Sequence, residues 1–411
     1  MHFFNTLSMN VNVIGALARQ VEKELTDNIL PFWMEKMVNP SGGFLPRIAG
    51  DGTPDISAPL GAVMNARILW AFSSAYRVLR KQEYLDYAER AKRVVIDRFV
   101  DKEYGGVYWS LNPDGTPLDT KKQIYALGFA IYGLSEFSRA TGDKESLDCA
   151  ISIYKDIEKN SFDSLYNGYY EAFSREWGQL GDVRLSEKDA NDNKTMNTHL
   201  HIIEPYTNLY RVWPDDGLMA KIANLLDIFT DKILDENTGH LALFFGDDWT
   251  SHSDIVSYGH DIEASWLIQE AAEVVYGSDL PEKIRKAVVD VADAASEGYI
   301  PGGGMMYEFH RSSGAIDSDR HWWVQAEAVV GYLNAYILSG DGSYLKKATD
   351  TWDFISRHIS DKEGGEWFWS LKSDGTPNLK DDKAGFWKCP YHNTRMCLEV
   401  IERYDKMQSK L

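Results

Sequence analysis

The sequence predicts an all-α fold, an (α/α)6 barrel of six inner and six outer helices joined by short hairpins, as one catalytic domain over residues 1–411. Three observations predict it. A glycine-aromatic hairpin motif recurs six times, helical periodicity follows each copy, and the helices alternate between apolar on most faces and amphipathic. The clearest copies, Asp101–Pro117 and Asp361–Pro377, match at 11 of 17 positions. Looser copies start near Gly42, Gly168, Gly239 and Gly303. With Gly42, Gly105, Gly168, Gly239, Gly303 and Gly364 as markers, the spacings are 63, 63, 71, 64 and 61 residues. That period holds two helices and a hairpin, and six such units close a ring around one cavity. Because each unit packs on its neighbours, a ring escapes the size limit of a single core.

The periodicity places helices at approximately 10–38, 61–80, 82–100, 120–141, 143–160, 195–212, 216–235, 258–276, 280–297, 320–339, 343–359 and 386–405. Even-numbered helices follow the hairpins directly. Segments such as LGAVMNARILWAFSSAYRVL and WWVQAEAVVGYLNAYIL are apolar on most faces, as inner helices must be. Odd-numbered helices such as EYLDYAERAKRVVIDRF carry a charged stripe and belong outside. Ser174–Asn193 is the long irregular insertion, too polar for a core and suited to a loop over the cavity mouth.

Composition narrows the function. The net charge of −19, with no Lys or Arg run, argues against nucleic acid or an anionic membrane as partner. Three cysteines without CxxC spacing indicate neither a disulfide framework nor a structural zinc site. The absence of a leader-like start and of an 18-residue apolar run gives a cytoplasmic enzyme as the expectation. Thirteen Trp and 22 Tyr exceed what a core needs and suit sugar faces.

The informative polar residues fall at one end of the even-numbered helices: Arg67; Tyr125; Asn197, His199, His201 and Glu204; His260, Asp261 and Glu263; His321, Trp322, Gln325 and Glu327; His392, Asn393 and Arg395. Across a ring these groups converge. His199 and His201 point apart on a helix and cannot grip one ion, whereas Asn197, His201 and Glu204, or His260 and Glu263, share a face. Glu263, Glu327, Glu308 and Asp189 are the carboxylates available to an inverting glycoside hydrolase. His260 and His392 on opposite walls make a third arrangement, a two-base site that exchanges a proton on carbon beside a carbonyl, with Glu263 orienting an imidazole and Arg67 on the developing oxyanion.

The segments NTHLHIIEPYTNLYRVW (from Asn197), YGHDIEASWL (from Tyr258), HWWVQAEAVVGYLNAY (from His321) and WKCPYHNTRMCLE (from Trp387) resemble the hallmark segments of the N-acylglucosamine 2-epimerase superfamily, and within it the cellobiose 2-epimerase branch. The resemblance runs from about Asn10 to Tyr404. It implies reversible C2 epimerisation of the reducing-end glucose of β-1,4-linked disaccharides, without metal or other cofactor. It carries catalytic roles onto His260, His392, His201 and Arg67. Tyr125, Asn197, Glu263, Trp322 and Trp387 become expected sugar contacts, together with Trp249 and Glu327. The expected partner is a neutral oligosaccharide, and a monomer is expected. N-acylglucosamine 2-epimerase or mannose isomerase activity is the rival within the superfamily.

Overall fold

The computed structural model describes residues 2–409, with side chains from Asn10 onward. Twelve helices account for most of it. The outer set is α1 (His2–Glu24, running on to Glu35), α3 (Gln82–Val94), α5 (Lys144–Asn160), α7 (Asp216–Ile228), α9 (Glu282–Ala295) and α11 (Gly342–Phe354). The inner set is α2 (Ala62–Leu79), α4 (Ile124–Thr141), α6 (Met196–Val212), α8 (Tyr258–Tyr276), α10 (Trp322–Ser339) and α12 (Tyr391–Gln408). Each inner helix packs on the next, and α12 returns to α2, so the barrel is closed. Inner helices bury residues on every side, while outer helices bury one stripe, as the alternation in hydropathy requires. Among the described residues, no helix is long and apolar enough to cross a membrane.

The helices α4, α10 and α12 begin later than their periodicity suggests. The residues before them are committed elsewhere: Lys122–Gln123 pair with Ala172–Phe173, and Arg320–His321 with Ser370–Leu371. Leu60–Gly61, Lys194–Thr195 and Ile255–Ser257 make equivalent antiparallel pairs with the hairpin of the next unit. A bridge between Ile48 and Ala384 supplies the sixth of these staples and joins the last unit to the first.

Helices α3, α7 and α11, and α1 before its last turn, widen into a single π turn: Val95–Phe99, Phe229–Ile233, Ile355–Ile359 and Leu25–Ile29. In the first three the next N–H donates back five residues, for example Val100 to Val95, and the chain turns inward as a strand. Left-handed residues reverse the hairpins after α3 (Gly105–Gly106), α5 (Asn167–Gly168) and α11 (Gly365–Glu366), and Gly239 does so after α7. In this register Gly168 and Gly364 each stand one residue from the place held by Gly105.

Buried ion pairs tie two of the hairpins to the strand entering an inner helix. Lys122 donates to Asp101 (2.8 Å) and Lys194 to Asp163 (2.7 Å), with Lys194 also reaching the carbonyls of Asn167 (2.8 Å) and Asp247 (2.6 Å). Removing one partner of a buried pair strands the other's charge. Lys194→Met is therefore expected to destabilise the fold by about 3–5 kcal/mol, as measured by urea unfolding; an unchanged midpoint and slope would show that the pair carries no such load.

Candidate active site

The second and sixth residues of an inner helix lie one turn apart on one face, and the staples aim that face at the barrel axis. The sixth residues are Arg67, Phe129, His201, Glu263 and Glu327, with Arg395 one place earlier in α12. The second residues include Tyr125, Asn197, Gly259 and Trp323. His260 and His392 are the third and second residues of α8 and α12.

Arg395, fully buried, is the hub. One amino group of its guanidinium meets Glu204; the other donates to Glu263 and to Glu327 (2.6 Å). Glu327 also accepts from His392 Nδ1 (2.7 Å) and Trp266 Nε1 (3.0 Å), and Glu204 accepts from the Tyr391 hydroxyl and from His201 Nδ1 (3.0 Å). Arg395 and His392 together hold the Glu327 carboxyl down to about 2 despite its burial. Burial, reinforced by the neighbouring Glu327 charge, pushes Glu263 up to about 8. Its Oε2 is buried with no partner. Glu263, Glu327 and His392 bring ligand atoms within 4.8 Å of one another, yet the Arg395 guanidinium already lies on both carboxylates where a cation would sit.

Arg67 donates to the Tyr125 hydroxyl (2.7 Å) and lies over the Phe129 and Tyr391 rings, 4.0 and 4.7 Å from their centroids. Its Nε is buried without a partner. Tyr125 and Phe129 also flank His201, each with ring centroids 4.9 Å away. Trp387, half-buried, continues this wall beside Tyr125 and Trp109.

The indole of Trp323 lies between the two proposed proton carriers, 4.8 Å from the His260 ring and 5.6 Å from that of His392. Gly259 makes this possible, because a Cβ there would stand 2.6 Å from the indole. His260 Nδ1 pairs with the Ser257 hydroxyl (2.8 Å). Burial holds both imidazoles neutral, down at about 3, against the raising effect of Glu327. Burial likewise lowers His201, with Glu204 opposing it.

The structure thus brings together Arg67, Tyr125, His201, Glu263, Glu327, His392 and the half-buried Asn197, His260 and Trp387. Two aromatic expectations fall differently. Trp322 is buried against Trp369 (4.7 Å) with the Lys388 ammonium over it, and Trp323 takes the axial place. Trp249 is buried in its hairpin, donates to the Tyr166 and Asn167 carbonyls (2.9 and 3.1 Å), and packs on His199. His199 itself faces away from the axis and accepts from the Tyr169 N–H (3.0 Å). The sequence reading missed Trp323 and the hub role of Arg395; Trp323 was detectable as the residue four before Glu327.

Comparison with known proteins gives a consistent result. The N-acylglucosamine 2-epimerase family profile matches residues 42–395. The chain is 59% identical to the cellobiose 2-epimerase of Bacteroides fragilis, over 94% of this chain and 98% of that one. It is 40% identical to the cellobiose 2-epimerase of Dictyoglomus turgidum, over 95% and 99%. The solved structure of the cellobiose 2-epimerase from Bacillus thermoamylovorans superposes with a TM-score of 0.91 at 43% identity, covering 95% of this chain and all (100%) of that one.

The depressed histidines make a thermodynamic prediction. A folded-state imidazole near 3 excludes protons that the unfolded chain takes up below about 6.5, so stability drains away as pH falls through that window. Between pH 7 and pH 5 His260 alone is expected to cost the wild type about 2 kcal/mol relative to His260→Gln, read by urea unfolding of both proteins at both pH values. A constant difference would show that His260 titrates as it does in the unfolded chain.

Proposed function

Since the chain belongs to the N-acylglucosamine 2-epimerase family, we propose that it is a carbohydrate epimerase that inverts C2 of the reducing-end glucose of β-1,4-linked disaccharides. Cellobiose would give glucosylmannose, and lactose epilactose. The observation that carries this reading is the pair of imidazoles held against one indole, with Arg67 and His201 beside them. The 59% identity to a cellobiose 2-epimerase supports the choice of substrate class.

The chemistry is an exchange of one proton on carbon. The pyranose opens as the O1 hydroxyl loses its proton and O5 gains one, leaving an aldehyde at C1. A neutral imidazole then takes the C2 proton, and the C–H electron pair moves into the C1–C2 bond while the carbonyl pair moves onto O1. The resulting cis-enediolate turns about C2–C3, and a proton is returned to the opposite face as the electrons go back to re-form the carbonyl. A proton entering the imidazole pair settles on His392, whose Nδ1 faces the ionised Glu327 at 2.7 Å. His260 faces only a hydroxyl and serves as the neutral base. In the reverse reaction the roles exchange. Arg67, dry and with one nitrogen unpartnered, suits the negative charge on O1. Half-buried Trp323 and Trp387 offer aromatic faces to the sugar rings.

The test is the product profile of cellobiose in deuterated water, followed by NMR. Glucosylmannose labelled at C2 is expected; free glucose would mean hydrolysis, and a ketose would mean isomerisation. His260→Ala and His392→Ala are each expected to fold and to lose C2 exchange, and exchange at near the wild-type rate in either removes that residue as proton carrier. Arg67→Ala is expected to lower kcat by the equivalent of about 2–4 kcal/mol. A change confined to KM would instead make Arg67 a ground-state binder.

A further inference from the structure

Three of the hairpins that open on an aspartate reverse through two consecutive left-handed residues: Gly105–Gly106 (φ +77 and +63), Asn167–Gly168 (+67 and +92) and Gly365–Glu366 (+77 and +60). In each the second residue's carbonyl accepts from the aspartate that opens the hairpin, Asp101, Asp163 or Asp361 (3.0, 2.8 and 2.9 Å). Glycine takes that second place in two copies, because left-handed backbone costs a residue with a Cβ. Glutamate takes it in the copy that precedes α12. Strain of this kind persists only where surrounding contacts hold it, and it gathers where function needs it.

Asn28 of α1 accepts from the Glu366 N–H (2.8 Å), and the buried carboxylate of Glu366 turns into the wall behind α12. There it accepts from Trp33 Nε1 (2.9 Å), Lys388 Nζ (3.0 Å) and both ways from Asn393 Nδ2 (2.7 and 3.1 Å). Lys388 lies four residues before His392, and Asn393 directly follows it. One carboxylate therefore grips the chain on both sides of that histidine. The helix start has no side-chain cap of its own, because Pro390 in the capping position makes no side-chain hydrogen bond to the first turn. Asp261, the residue after His260, is held in the same manner by the preceding hairpin, accepting from the Leu241 N–H (2.9 Å) and pairing with His240 (2.7 Å).

We propose that Glu366 is a positioning residue for His392: it occupies a glycine place in the hairpin so that its carboxylate, through Asn393 and Lys388, fixes the first turn of α12 and hence the imidazole's aim at C2. This rests on the reading of His392 as a proton carrier.

The test uses Glu366→Gly, which relaxes the turn to the residue of the other copies, together with Asn393→Ala and the double variant. Thermal unfolding, kcat and KM for cellobiose, and C2 deuterium exchange are measured on each. Each single variant is expected to lose about 10- to 100-fold in kcat per folded molecule, with KM within a few-fold of wild type, the range commanded by groups that orient catalytic residues. The double variant is expected to be no worse than the poorer single, because the two side chains act through one link. A kcat per folded molecule within twofold of wild type in either single variant, or additive losses in the double, would overturn the proposal. Should Glu366→Gly fail to fold with Lys388 left unpaired, Asn393→Ala decides alone, since it leaves the Glu366–Lys388 pair intact. A wild type that leaves C2 of cellobiose unexchanged defeats the functional reading itself; an active wild type with unaffected variants defeats only the role of Glu366.

Discussion

Everything at the barrel axis answers to one buried guanidinium. Arg395 meets Glu204 from α6, Glu263 from α8 and Glu327 from α10, so a residue of α12 ties three other inner helices to its own. Three carboxylates against one cation leave an excess of negative charge in a dry place, and burial makes such an excess expensive. The cluster resolves it by dividing the labour. Glu327 is held low by the combined pull of Arg395 and His392, while burial pushes Glu263 up. The cluster is thereby brought closer to electrical balance.

The same constraint gives the imidazoles different surroundings. His392 stands on a carboxylate, His260 on a hydroxyl, and the indole of Trp323 spans the two. Chemically similar groups thus meet different partners through their Nδ1 atoms. The bare Cα of Gly259 is as much a part of this arrangement as the rings, since the space it leaves is filled by the indole.

Much of this was legible in the sequence because the repeat does the geometric work. Once six hairpins are recognised, each inner helix starts at a known place, and Arg67, His201, Glu263 and Glu327 fall at one position of it. Trp322, the expected contact, and Trp323, whose indole meets both imidazoles, differ by one residue in phase. Either indole fits an aromatic lining, and the choice follows only from the first residue of α10, which the pairing of Arg320–His321 with the next hairpin fixes. Trp249 misled for a different reason: a tryptophan in a polar loop suggests a sugar platform, but here two backbone carbonyls claim its N–H. The π turns leave no trace in hydropathy, because one extra residue in a turn keeps the apolar stripe facing inward.

The seam of the ring has a consequence for how the molecule comes into being. Unit six meets unit one where Ile48 bridges Ala384 and where Tyr404 of α12 lies against Gly15 of α1. α12 also brings both His392 and Arg395. During synthesis, a nascent chain with eleven helices made has an open edge and three acidic side chains still waiting for their countercharge. Sealing the circle and assembling the Arg395 cluster are then a single event, which waits for the twelfth helix of the barrel.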